Sequence, residues 1–159
     1  MKIKFDSTVL IVREFDIMKD FYLDILQQEV EHDFGNCISL KCGITIWQLK
    51  EEYPIVKKLG STHRKEGNQN LEMCFTTERI DEVSQRLSQI KIRYLHRMEE
   101  ETWGQKTIRF FDPENNLIEV GESIPAFVKR LFNSGMSIEE VASKTGVESG
   151  KVKDIVQNK

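Results

Sequence analysis

The sequence predicts an α+β fold: paired βαβββ units forming a curved mixed sheet with a cleft, followed by a C-terminal helical extension. Three observations lead there. The apolar periodicity runs strand, helix, strand, strand, strand over about residues 5–50, and the same order returns over about 70–122, as a duplicated supersecondary unit requires. The chain has 159 residues, enough for one such domain with a real core and a small appendage. After Ser123 the pattern turns wholly helical, which divides a domain over 1–122 from a tail over 123–159.

In the first unit, Thr8-Val9-Leu10-Ile11-Val12 is a β-branched apolar run and reads as a buried strand. Asp16 is placed to cap the helix that follows, on which Met18, Phe21, Tyr22 and Ile25 recur as one apolar stripe. Strands over 29–32, 36–40 and 44–49 come next, separated by turns at Gly35 and Gly43. The polar stretch 50–70, with Pro54, Gly60 and Gly67, connects the units and holds a short helix through Ile55, Val56 and Leu59. A loop of this length leaves room for a lid.

The second unit opens with a strand over 71–76. A helix follows, marked by Ile80, Val83, Leu87 and Ile90, then strands over 92–96, 106–111 and 117–120. Asp112-Pro113 starts the last turn because proline presets φ, and Asn115-Asn116 finishes it because asparagine tolerates left-handed φ. Leu117-Ile118-Glu119-Val120 then sets a lone carboxylate between apolar neighbours, where it must find water, a partner or a metal.

In the tail, Pro125 fits the first turn of a helix with Phe127, Val128, Leu131 and Phe132 as its apolar face, and Gly135 ends it. Ser137 and Glu140 form a capping box for a second helix, which Gly146 can close in left-handed conformation. Val152, Ile155 and Val156 mark a third. The stretch 136–147 resembles helix-turn-helix segments of DNA-binding regulators. Against DNA contact stand the tail's modest net charge of +2 and Glu148 with Gly150 at the start of the would-be recognition helix. Packing or dimerisation is the favoured role.

Hydrophobic residues make up 39% and charged residues 31%, with a net charge of −3. Nothing global favours nucleic acid or an anionic membrane. No apolar run reaches the ~20 residues of a membrane helix, and the N-terminal residues lack the apolar stretch of a signal peptide. Cys37, Cys42 and Cys74 form an odd set without a CxxC pair and read as reduced thiols of a cytoplasmic protein.

The run from Trp103-Gly104 through Asp112-Pro113-Glu114-Asn115-Asn116 to Glu119 resembles the closing segment of the vicinal oxygen chelate superfamily, which includes glyoxalases, bleomycin-resistance proteins and extradiol dioxygenases. Asp20-Phe21-Tyr22-Leu23-Asp24-Ile25-Leu26 is similar to that superfamily's Phe-Tyr-x-Asp-x-Leu helix. Metal-binding members take histidines from the first strand and glutamates from the last strand of each unit. Carried over by the resemblance, those positions fall on Ser7, Trp47, Glu72 and Glu119. Only Glu119 keeps the common type, and neither serine nor indole suits a transition metal.

The leading expectation is therefore a small-molecule binder, a homodimer without the usual histidine-based metal site. Its aromatic cleft would be lined by Trp47, Trp103, Phe34 and Phe110, with Ser7 at the remaining ligand position. No cofactor is expected, although Glu72 and Glu119 leave room for a divalent metal ion. Strand alternation puts Glu72 with Cys74 and away from Met73 and Phe75, and Glu119 away from Ile118 and Val120. Two carboxylates on one side would raise one pKa and suit acid–base work. The second expectation is thus a metal-dependent lyase, isomerase or dioxygenase with Glu72 and Glu119 as catalytic residues. The third is a ligand-sensing regulator whose tail touches DNA. Of the histidines, His32 and His63 lie near a turn and in the connection, and only His96 could reach the cleft.

Overall fold

The structure, a computed structural model, describes residues 3–59 and 71–157. Gly60, His63 and Gly67, and with them most of the connection considered as a lid, lie outside the described residues. The chain divides into two compact units, Met1–Asn68 with Asp112–Asn115, and Gln69–Phe111 with Asn116–Lys159.

The first unit contains β1 (Thr8–Val12), α1 (Phe15–Asp20), β2 (Val30–Asp33), β3 (Cys37–Leu40), β4 (Ile44–Gln48) and α2 (Pro54–Leu59). Its sheet has the order β1-β4-β3-β2, with β1 parallel to β4 and the other pairs antiparallel. The helix does not stop at Asp20 but continues as a π-helical turn over Phe21–Ile25. Met18, Phe21 and Tyr22 are buried in the core with Leu10, Val12, Ile38, Leu40 and Ile46. Asp16 is not the cap. It sits inside the first turn, where its charge favours the helix dipole. Glu14 holds the N-cap position, and Glu114 fixes the chain entering the helix from a distance in sequence: its Oε1 accepts from the amides of Arg13 at 2.7 Å and Glu14 at 2.9 Å.

The turn that supplies Glu114 is itself held. Asp112 Oδ1 accepts from the Glu114 amide at 2.9 Å, and its Oδ2 accepts from the buried Tyr22 hydroxyl at 3.2 Å. Burial first, and then the Asp112 charge, raise the Tyr22 pKa far above its ordinary value. Asn115 takes a left-handed φ of 68°, as the turn chemistry predicts.

The second unit contains β5 (Glu72–Thr77), α3 (Ile80–Ser88), β6 (Arg93–Glu100), β7 (Lys106–Phe111), β8 (Leu117–Glu122), α4 (Ile124–Asn133), α5 (Ile138–Thr145) and α6 (Ser149–Gln157). Its sheet repeats the first topology as β5-β8-β7-β6, with β5 parallel to β8. Met73, Ile108, Phe110, Ile118 and Val120 are buried, as are Ile80 and Leu87 of α3. The protein is thus α+β, two βαβββ units and a C-terminal helical extension.

In that extension Ser123 Oγ caps α4 through the Ala126 amide at 3.3 Å. The α5 capping box is complete, with Ser137 Oγ on the Glu140 amide at 3.2 Å and Glu140 Oε2 on the Ser137 amide at 2.7 Å. Gly146 closes α5 at φ 72°. Phe127, Val128, Leu131, Val141 and Val152 form a core shared by the three helices. Arg130 ties this core to the sheet, donating through two nitrogens to the two oxygens of buried Glu122, each at 2.8 Å. Among the described residues no helix is long and apolar enough to cross a membrane.

Glu114→Ala would leave two part-buried amides without their acceptor. A loss of about 1–3 kcal/mol of unfolding free energy is expected in denaturant titration, with Glu114→Gln retaining part of it.

Candidate functional site

The face of the second sheet turned away from its apolar core carries a row set by register. Cys74 pairs with Glu119, Glu119 with Arg109, and Arg109 with His96, across β5, β8, β7 and β6. Alternation along β5 adds Glu72 to the same face. Arg109 is the centre. Its Nε donates to Glu72 Oε1 at 2.7 Å, while its two terminal nitrogens donate to Glu119 Oε2 and Glu101 Oε1. Thr107 Oγ1 adds a bond to Glu101 at 3.1 Å. His96 Nε2 lies 3.1 Å from an Arg109 nitrogen. A guanidinium only donates, so Nε2 accepts, and the ring proton sits on Nδ1, which donates to the Arg97 carbonyl at 2.7 Å.

One guanidinium faces three carboxylates. The side chains are largely out of water, 18% exposed for Arg109 and 13% for Glu119, so the imbalance is felt. Burial, and after it the charges of Glu72 and Glu101, hold the Glu119 pKa above the ordinary carboxylate value despite Arg109. The Glu101 carboxyl is pulled down, chiefly by its bond from Arg109. Burial opposes the Arg109 charge, but its bonds to Glu101 and Glu72 and the Glu119 charge outweigh it and push its pKa up. Burial raises the Cys74 thiol, helped by Glu119 and Glu72.

The structure therefore brings Glu72 and Glu119 together, through an arginine that sequence reasoning passed over. Glu101 was missed as well. Arg109 had a readable signal: it shares a strand face with Thr107, and the Asp112–Asn116 turn sets β7 against β8 so that Arg109 faces Glu119. Glu101 follows the end of β6 in a loop, where alternation gives no guide.

In the first unit the corresponding row is apolar. Trp47 of β4 pairs with Ile11 of β1 and Cys37 of β3. Trp47 stands as far from its hairpin turn as Glu119 does from its own, so the repeat aligns Ile11 with Cys74 and Val9 with Glu72. Ser7 falls just outside β1, and its hydroxyl accepts from Thr45 Oγ1 at 3.2 Å. The Trp47 ring lies 6.0 Å from that of Tyr53. Beside this face a pocket of about 350 Å³ is bounded by Ile11, Arg13, Gln48, Lys50 and Val56.

The other aromatic positions differ among themselves. Phe34 is 67% exposed in the β2–β3 turn. Trp103 is part-exposed in the β6–β7 loop, its Nε1 donating to Gln105 Oε1 at 3.0 Å. Phe110 corrects the expectation of pocket lining. It lies on the opposite face of β7 from Arg109, is fully buried, and meets Tyr94 edge-on with ring centroids 6.3 Å apart.

Two carboxylates with a guanidinium seated between them do not fit a divalent cation, because the arginine takes one oxygen of each and sets its own positive charge where the cation would sit. Among the described residues no group of three or more His, Cys, Asp or Glu is arranged to hold a metal ion.

The folded Glu119 pKa lies above the ordinary 4.5, so its contribution to stability is full below that value and is lost as pH rises through the folded one. Glu119→Gln removes this loss. Its melting temperature relative to the native chain is expected to climb as pH rises above 4.5. Arg109→Met strands three acids together. It should cost about 3 kcal/mol at neutral pH, a deficit that chemical denaturation should find reduced on acidification.

Comparison with known proteins agrees with the duplicated topology. A protein of unknown function from Agrobacterium tumefaciens strain C58 is 28% identical, with a TM-score of 0.68 over 78% of this chain and 97% of its own. A glyoxalase-related enzyme from Fulvimarina pelagi shares the fold at 12% identity and a TM-score of 0.62, covering 76% and 88% of the two chains. A lactoylglutathione lyase from Agrobacterium tumefaciens does so at 21% identity and 0.55, covering 74% and 91%. No curated protein matches. The glyoxalase-like domain model matches residues 5–125, from just before β1 to the first residues of α4, and the chain therefore belongs to the glyoxalase-like domain family.

Proposed function

We propose that this protein binds a small organic molecule without the histidine-based metal site common in its superfamily. The observation that carries this reading is Arg109, whose guanidinium lies between Glu72 and Glu119, the two acids at positions that the superfamily resemblance assigns to metal ligands. A fixed cation there supplies positive charge and oriented donors without a metal. The surrounding Glu72, Glu101 and Glu119 exceed it in charge, so the site favours ligands with amine or other hydrogen-bond-donating groups. Trp47 and Trp103 are the aromatic surfaces that the same reading assigns to ligand contact, because an indole offers a broad flat face and one donor. Phe34 and Ser7 have lesser parts in it, and Phe110 has none. The reading takes 1–122 as the ligand-binding domain and 123–159 as its appendage, in a cytoplasmic homodimer.

A second reading has its own support. Glu119, its pKa raised above the ordinary carboxylate value by burial in a part-buried site, is suited to giving or taking a proton. As a lyase or isomerase the chain would use Glu119 as acid or base and Glu72 with Arg109 to orient it.

Titration with planar aromatic amines, followed by tryptophan fluorescence, separates these readings. Saturable quenching that weakens about tenfold or more in Glu119→Gln supports the binder. Quenching by no such compound rules it out. Turnover abolished in Glu119→Gln with the fold intact would favour the enzyme. Stoichiometric metal in protein purified without chelator, lost on replacing Glu72 and Glu119 with alanine, would overturn the metal-free reading.

A further inference from the structure

We propose that the segment from Glu100 to Lys106 couples the Arg109 cluster to docking of the helical extension, so that occupancy of the one regulates the other. This coupling presupposes that the Arg109 cluster is the ligand site. Two adjacent acids face different arginines. Glu101 accepts from Arg109 and from Thr107. Glu100 accepts from Arg130 of α4 and from Lys144 of α5, each at 3.2 Å.

Residues 101–105 form a closed loop. The Glu101 amide donates to the Gln105 carbonyl and the Gly104 amide to the Glu101 carbonyl, both at 2.8 Å. These bonds tie the Glu101 backbone to Gly104, so a displacement of the Glu101 backbone is passed to Gly104. Gly104 is wedged against the extension. It is buried, and a Cβ there would lie 2.9 Å from Lys144 Cε and 3.0 Å from Leu131 Cδ1. Its carbonyl accepts from Arg130. Gln105 Nε2 donates to the Glu122 carbonyl at 2.7 Å, and the Lys106 amide donates to Glu122 Oε2 at 2.8 Å. Glu122 is the residue that Arg130 grips with two nitrogens.

A ligand donor that engages Glu101 competes with Arg109 for it and displaces the loop, loosening the grip on α4 and α5. By linkage, release of the extension must alter the affinity of the cluster by the same factor. The family match ends at residue 125, so the regulated element is one this chain adds beyond the matched domain.

Hydrogen exchange on the full-length protein tests the coupling without needing a ligand. Glu101→Gln touches the cluster side, and Glu100→Gln the extension side. Glu101→Gln is expected to speed exchange of α4–α6 amides by about fivefold or more, and Glu100→Gln to do the same for β7, fivefold being the low end for linked sites. Melting curves establish that each variant is folded. Should Glu101→Gln fail to fold, Thr107→Val removes only one bond to Glu101 and replaces it. Effects that stop on the substituted side of the loop overturn the coupling, whether or not amines bind. If the exchange effects cross the loop but no aromatic amine quenches tryptophan, the coupling stands and the ligand reading falls.

Discussion

A single guanidinium holding three carboxylates on one sheet face is the interaction on which the second unit's chemistry rests. Arg109 donates through Nε to Glu72 and through one terminal nitrogen to Glu119, while the other terminal nitrogen is shared among Glu101, His96 and Thr107. Without it, Glu72 of β5, Glu119 of β8 and Glu101 of the β6–β7 loop would still lie close together, and charge repulsion would oppose the sheet's pairing. With it, the acids are fixed in place and the pKa values of Glu119 and Glu101 are pushed in different directions. Glu119 above its ordinary value and Glu101 below it, on one arginine, show how burial and partner geometry divide the roles of like residues.

The duplication lets the two units diverge. Both carry a parallel strand pair beside an antiparallel hairpin, and both place one residue of the last strand at the same distance from the turn. That residue is Trp47 in one unit and Glu119 in the other. The neighbours differ accordingly, Ile11 and Cys37 in the first, Cys74 and Arg109 in the second. Backbone pairing requires only the frame, so the outward face of each sheet is free to vary.

A similar division appears at the Asp-Pro turn. Its local sequence specifies a reversal of the chain, yet Asp112 and Glu114 are buried because they serve partners far away in sequence, Tyr22 and the start of α1. The loop at Gly104 likewise serves the helical extension, through a left-handed φ of 92° and the absence of a side chain.

Local physics made the elements legible in the sequence. A β-branched apolar run placed β1 at its observed limits, helical stripes placed α3 and α4, and Ser137, Glu140 and Gly146 marked the ends of α5 because capping involves residues within one turn. The resemblance in the turn and in Glu119 pointed to the right family. Tertiary structure decided what alternation and spacing cannot carry. It bound Arg109 to Glu72, Glu101 and Glu119, sent Phe110 to the core, and put Glu14, its amide held by Glu114, at the N-cap in place of Asp16. Each of these depends on which strand lies beside which and on what a long side chain meets across the gap, and those partners are 8 to 101 positions apart along the chain.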